Sequence, residues 1–255
     1  MTILDDIVAR TRARVGTEPS AGRAAAEAAA KNRASFALTA ALRRDRINVI
    51  AEIKSASPSA GSIVENPDVE AIATAYKQGG AAAISIVTEP EFFRGSREWI
   101  GRAAAQLPAL MKDFVVDESQ LISGIAAGAS AILLLASLLD AKQIRDFIRC
   151  LDEYSCDALV EVHDEAELER AITAGAKIIG VNNRNLRDFS VDLGASERLS
   201  QQIPDGVIRV AESGIKTRAD IDRLRTAGFD AFLVGESLLR QDDRAAAVRQ
   251  LVLGS

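Results

Sequence analysis

The chain has 255 residues, 31 Lys+Arg against 36 Asp+Glu and a net charge of -5; 48% of its residues are hydrophobic and 26% charged. That composition supports a buried core and excludes disorder, collagen-like repeats and a disulfide framework, while an acidic chain with no basic block excludes a nucleic-acid surface. With His163 the only histidine and Cys150 and Cys156 the only cysteines, there is neither a zinc ligand set nor a Cys/His nucleophile pair, and the thiols read as small interior hydrophobes of a reducing compartment.

At the N-terminus, Ile3, Leu4, Ile7 and Val8 fall at helical spacing, as do parts of 24–30. Residues 1 to about 45 are predicted as an N-terminal helical extension whose apolar stripe covers part of the remaining fold. Asp5, Asp6, Arg10, Arg12 and Arg14 leave no apolar region for a signal peptide, so the chain is expected in the cytoplasm. Short apolar runs follow at 48–53, 83–87, 109–112, 131–135, 158–161, 178–181, 207–211 and 231–234. Such runs suit a parallel sheet buried on both faces. Four are preceded by Gly80, Gly128, Gly175 or Gly228, each read as a left-handed glycine closing a helix. Thr217 with Asp220, and Asp164 with Glu167, are predicted capping boxes at helix starts.

Residues 121–139 carry no charge, but Gly124, Gly128, Ser130 and Ser137 interrupt them. A helix end, a glycine cap and a buried strand account for the stretch, and no membrane span is expected. Eight strands alternating with helices every 20–35 residues or so predict a (β/α)8 TIM barrel of class α/β. No linker or composition break divides the chain, so 1–255 is expected as one domain. An open doubly wound sheet would want a G-x-G-x-x-G turn after Ile53, and none follows.

The strand ends carry groups that a buried strand should not contain. Glu52 and Lys54, two residues apart, project to one side of the first strand. Lys112-Asp113 ends the third and Glu161 the fifth; Asn182-Asn183-Arg184, Glu212-Ser213-Gly214 and Gly235-Glu236-Ser237 end the last three. In a barrel these ends meet at one face, where active sites are built. A single such residue is more simply a solvated surface charge; the set is not. Lys54 and Lys112 facing Glu52, Glu161 and Glu212 would form a charge-compensated cluster holding displaced acids and bases. Ser213-Gly214 and Gly235, the latter opening a short helical Glu236-Ser237-Leu238-Leu239, read as a phosphate cradle of freed backbone N–H groups. Glu236 must then turn its side chain away. Phe92-Phe93, Phe114 and Leu186 suggest a ligand with a flat apolar part as well as a phosphate.

Taken in order, Ile50-Ala51-Glu52-Ile53-Lys54 with Ser57-Pro58-Ser59, Lys112-Asp113-Phe114-Val115-Val116, Glu161-Val162, Gly180-Val181-Asn182-Asn183-Arg184 and Val210-Ala211-Glu212-Ser213-Gly214-Ile215 resemble the indole-3-glycerol-phosphate synthase family over essentially the whole chain. The resemblance implies a TIM barrel with an N-terminal extension. It implies conversion of 1-(2-carboxyphenylamino)-1-deoxyribulose 5-phosphate to indole-3-glycerol phosphate, carbon dioxide and water in tryptophan biosynthesis, without cofactor or metal. Lys112 would be the general acid on the ketone, Glu161 the base, and Lys54 a second acid near the anthranilate carboxylate. Glu52 and Glu212 would position the lysines and sugar hydroxyls, helped by Asn182 and Ser213. The phosphate would lie near Ser57, Gly214 and Gly235, beside Glu236. Phe93, Phe114, Leu133 and Leu186 would line the aromatic pocket, and Arg184 would also meet substrate.

Elementary chemistry asks for the same groups. Ring closure puts alkoxide charge on the former ketone, water must then leave with the help of an acid, and a carboxylate can take the last proton. Ser55 stands where the family often has Arg or Lys, and Arg94 is expected to supply that charge from the loop after the second strand. A Schiff-base aldolase would want a lysine where Asn182 stands, and a phosphoribosylanthranilate isomerase a cysteine at the end of the first strand. A non-catalytic barrel should have lost Lys54, Lys112 or Glu161, and all three are present. The expected partner is a phosphorylated small molecule, with no nucleic acid and no membrane; a monomer is the simplest form.

Overall fold

The computed structural model describes residues 2–17, 21–184 and 190–254. In chain order, α1 (Ile3–Val15), α2 (Arg23–Lys31) and α3 (Ala37–Leu42) precede β1 (Asn48–Ile53). A two-residue hairpin follows, β2 (Ala56–Ser57) and β3 (Gly61–Ser62), then α4 (Val69–Gly79), β4 (Ala83–Val87), α5 (Trp99–Ala104) and β5 (Ala109–Lys112). Next come α6 (Glu118–Ala126), β6 (Ala131–Leu135), α7 (Ala141–Glu153), β7 (Asp157–Val162) and α8 (Glu165–Ala174). The chain ends with β8 (Ile178–Asn182), α9 (Leu193–Ser200), β9 (Ile208–Glu212), α10 (Arg218–Thr226), β10 (Ala231–Val234), α11 (Glu236–Leu239) and α12 (Arg244–Leu253). Apart from the hairpin, the strands are parallel and close in the order β1-β10-β9-β8-β7-β6-β5-β4, a (β/α)8 barrel.

Alternation sorts every strand into two faces. Ile50, Leu110, Leu133, Leu159, Val210 and Leu233 fill the barrel interior. Their neighbours, among them Val49, Ala51, Ile84, Ile132, Val160 and Ile179, face the ring of helices. Gly80, Gly128, Gly175 and Gly228 take φ of 94°, 101°, 86° and 94°, so each left-handed turn between helix and strand forms where expected. The charge-free stretch resolves into the end of α6, the Gly128 turn and β6. Among the described residues no helix is long and apolar enough to cross a membrane.

Two local expectations need adjustment. β8 and β9 reach one residue further than the apolar runs, because Asn182 and Glu212 pair with each other in the ladder. The Thr217–Asp220 capping box forms, whereas Asp164 caps α8 without a reciprocal Glu167. The Glu167 carboxylate instead accepts the main-chain N–H of His163 at 2.8 Å, one residue before the cap.

The N-terminal helices spread over three sides of the barrel. α1 lies at the carboxyl-end mouth, where Arg10 reaches Glu91 (2.9 Å) and Arg14 reaches Glu89 (3.4 Å) and Asp113 (3.9 Å). α2 runs along α6, with Arg23 paired to Glu118. α3 closes the opposite end. Leu38 and Leu42 enter the interior, each worth roughly 1.5–3 kcal/mol of burial. The Asp157 carboxylate at the foot of β7 accepts the N–H groups of Leu38 (3.0 Å) and Thr39 (3.1 Å), capping α3 from across the chain. Asn48, at the foot of β1, donates from its amide to the Leu42 carbonyl at 2.8 Å, so the other end of α3 is also satisfied.

Candidate active site

The rule that makes the lower barrel apolar places charge in its top layer. Glu52, Lys112, Glu161, Asn182 and Glu212 occupy inward positions at the carboxyl ends of β1, β5, β7, β8 and β9. Lys112 is the hub. Its Nζ donates to Oε2 of Glu161 and to Oε2 of Glu212, both at 2.8 Å. Asn182 Nδ2 donates to Oε1 of Glu161 at 2.9 Å, and its own Oδ1 accepts the N–H of Arg184 at 3.0 Å. Lys54 Nζ donates to Oε1 of Glu52 at 2.8 Å, forming a second ammonium–carboxylate pair across the mouth.

Two ammonium groups and three carboxylates leave one negative charge in excess, and burial decides which carboxylate yields. Burial is the largest influence on each. For Glu161, Lys112, His163 and the Asn182 amide outweigh it and hold the carboxyl down at about 2. Glu52 is likewise held below the usual range by Lys54 and Lys112. For Glu212, burial wins, reinforced by the adjacent Glu161 charge, and the carboxyl is pushed up to about 8. Burial alone would lower Lys112, but Glu161, Glu212 and Glu52 together raise it, so it stays an ammonium.

Two glycines are required by these carboxylates. A Cβ on Gly180 would stand 2.2 Å from Oε1 of Glu212, and one on Gly235 would stand 2.6 Å from Oε1 of Glu52. Gly235 is thus a packing necessity whatever else it does. Ser213 and Gly214 both take left-handed φ, 65° and 78°, a conformation costly for the serine. Asn183 helps to hold that turn: it is buried and donates to the carbonyls of Glu212 (3.0 Å) and Ser213 (3.2 Å).

Above the charged layer opens a cavity of about 870 Å³. Lys54, Ser57, Phe93, Phe114, Leu133, Arg184, Gly214, Gly235 and Glu236 line it together with the polar layer and Ser213. The Phe93 and Phe114 rings lie 5.9 Å apart, centroid to centroid, on one wall. Glu89, buried beneath that wall, accepts the N–H groups of Glu91, Phe92 and Phe93 and so fixes the loop carrying them. At the end of β10 the Glu236 carboxylate accepts Nε of Arg240 at 2.9 Å, a pairing along α11. The Ser57 hydroxyl accepts the N–H of Ala60 at 3.1 Å, ordering the hairpin loop. Leu186 lies outside the described residues.

Several cavity residues escaped the sequence reading. Ile3, Leu4 and Ile7 of α1 roof the cavity, and Lys216 and Arg240 add positive charge near Ser213-Gly214 and Glu236. The apolar spacing in α1 signals a buried face without saying where it docks. Arg94 is exposed and absent from the cavity lining, and Ser55 is buried, its carbonyl accepting the N–H groups of Ile63 and Val64. Nothing in this arrangement brings Arg94 to the charge it was expected to replace.

Residues 4–251 match the family model for indole-3-glycerol phosphate synthase. The protein of that name from Sulfurimonas denitrificans is 43% identical over 261 residues, covering 99% of each chain. Its counterpart from Chlorobium chlorochromatii is 50% identical over 194 residues, 75% of this chain and 76% of that one. Among solved structures, native KDPGal superposes with a TM-score of 0.61 at 16% identity, covering 82% of this chain and 94% of that one. Thiamine phosphate pyrophosphorylase from Pyrococcus furiosus gives 0.60 at 17%, covering 80% and 93%. At such identities these two likenesses show the barrel alone.

Proposed function

The chain belongs to the indole-3-glycerol phosphate synthase family, and from that premise we propose that it converts 1-(2-carboxyphenylamino)-1-deoxyribulose 5-phosphate to indole-3-glycerol phosphate, carbon dioxide and water in tryptophan biosynthesis. The reaction is a carboxy-lyase sequence of three steps. The ring carbon bearing the carboxylate attacks the ketone, and the new alkoxide takes a proton from Lys112. Loss of carbon dioxide leaves its electron pair in the six-membered ring. The hydroxyl at the former ketone carbon then takes a proton from the second acid, Lys54, and departs as water, and Glu161 takes a proton from the neighbouring CH2 carbon, completing the indole.

The single observation that carries this reading is the Lys112 ammonium, held at 2.8 Å by both Glu161 and Glu212 on the cavity floor. A lysine raised by three carboxylates stays protonated, so an ammonium is in place where alkoxide charge develops. Lys54, tied to Glu52, is the second acid and faces the substrate carboxylate. Asn182 orients Glu161, and Glu212 holds Lys112. The aromatic wall of Phe93 and Phe114, with Leu133 and Leu186, takes the anthranilate ring. Ser57, Ser213, Gly214 and Gly235 take the phosphate; Glu236, its side chain tied to Arg240, offers only its N–H there. Arg184 meets the substrate from the rim. The enzyme works in the cytoplasm on this phosphorylated small molecule, with neither cofactor nor metal.

The test is direct. Purified protein given the carboxyphenylamino-deoxyribulose phosphate should develop indole fluorescence, and Lys112→Ala should lose at least the roughly 100-fold contributed by a general acid while remaining folded. No fluorescence from the parent protein would overturn the function. Near-parental rates in Lys112→Ala would overturn the role of that lysine.

A further inference from the structure

His163 lies just beyond β7, two residues after Glu161, and is absent from the cavity lining. Its ring is bracketed by two carboxylates. Nδ1 stands 3.0 Å from Oε2 of Glu167, and Nε2 stands 3.4 Å from Oε1 of Glu161. Oε2 of Glu167 already accepts the main-chain N–H of His163, so it serves as an acceptor and Nδ1 carries a hydrogen. A neutral ring would then aim the Nε2 lone pair at the Glu161 oxygen. Nε2 is buried and makes no hydrogen bond among the described residues; its close charged neighbour is the Glu161 oxygen at 3.4 Å, so a proton there forms an ion pair where a lone pair would meet only repulsion.

We propose that His163 is a positioning residue for Glu161: anchored by Glu167, it presents a protonated Nε2 to Oε1, so that His163, Asn182 and Lys112 together fix the carboxylate in the orientation that receives the substrate proton. The proposal rests on the reading of Glu161 as the base. The charges around the ring agree with it. Burial opposes the imidazolium, but the hydrogen bond to Glu167 and the charges of Glu161, Glu167 and Glu212 raise His163 above its ordinary value. Lys112 on β5 and Arg170 on α8, 4.0 Å from Glu167, are the cations beyond these carboxylates.

Because the chain has one histidine, histidine-labelled protein without an affinity tag gives a single imidazole resonance pair to titrate. The midpoint should lie above the ordinary 6.5 and should fall in Glu161→Gln. In turnover assays, His163→Phe should lower kcat about tenfold or more, the loss expected when a buried charge that orients the base disappears. KM should stay within about twofold, and His163→Gln, which keeps a neutral donor, should recover part of the loss. A midpoint unmoved by Glu161→Gln, an undiminished kcat in His163→Phe, or equal damage in Phe and Gln variants would overturn the proposal while the parent enzyme still turns over. A parent protein without turnover would remove the functional reading, and this proposal with it.

Discussion

Glu212 shows how one side chain can trade stability for chemistry. Burial, with Glu161 alongside, pushes its carboxyl up to about 8 from an ordinary 4.5. Between those values the unfolded chain releases the proton and the folded chain keeps it, so on this group stability falls as pH rises and levels off above about 8. Glu161 has the opposite sign: held at about 2, it contributes stability above 4.5 that is lost only as pH falls toward 2. Glu212→Gln removes the first liability in nearly the same volume. It should therefore be more stable than the parent by about 1 kcal/mol or more at pH 8, with the gap closing toward pH 4.5. Urea midpoints at pH 5 and pH 8 measure this, and a gap independent of pH would contradict it. Turnover should drop in the same variant, because Lys112 keeps only one carboxylate partner on β7 and β9. Gly180 belongs to the same account, since any side chain there would occupy the space of the Glu212 carboxylate.

At the scale of elements, α1 is tied to the mouth by charge as well as by its apolar face. Arg14 is largely buried, 13% exposed, between Glu89 and Asp113, and Glu89 in turn holds the loop of Phe93. Arg14→Ala should cost about 3 kcal/mol of stability, because it leaves buried carboxylates without their cation. It should also raise KM about tenfold through the displaced roof and aromatic wall, with a smaller change in kcat. Denaturation and steady-state kinetics on one preparation separate the two effects, and an unchanged KM would show that the roof plays no part in binding. Much of this architecture is legible in the sequence. The strands announce themselves by short apolar runs behind left-handed glycines, and alternation correctly sends Glu52, Lys112, Glu161 and Glu212 to one chamber. Strand ends are less legible, because Asn182 and Glu212 extend the ladder by pairing across a chain separation that no local pattern encodes. The docking site of α1 is invisible for a related reason: Ile3, Leu4 and Ile7 declare an apolar face but not its partner. His163 stays ambiguous until the first turn of α8 brings Glu167 to its ring.

For the whole molecule, Cys150 and Cys156 are natural reporters of opening. Both thiols are free and buried; burial pushes Cys156 up to about 12 and Cys150 up to about 11, so neither is reactive in the folded state. A thiol reagent should label both at one rate, with the denaturant dependence of global unfolding. Faster labelling of either cysteine would identify a smaller unit, containing α7 and the start of β7, that opens by itself. The capping of α3 carries a further consequence, for synthesis. Leu38 and Thr39 leave the ribosome early, yet their acceptor is Asp157, 119 and 118 positions later. Arg33 likewise waits for the carbonyl of Tyr154, 121 residues downstream. A nascent chain halted before Tyr154 and Asp157 therefore holds α3 without its cap, although α1 and α2 can already meet Glu89, Asp113 and α6. The α3 end of the barrel is thus completed only once the start of β7 has been made, whereas the opposite mouth has its covering contacts much sooner.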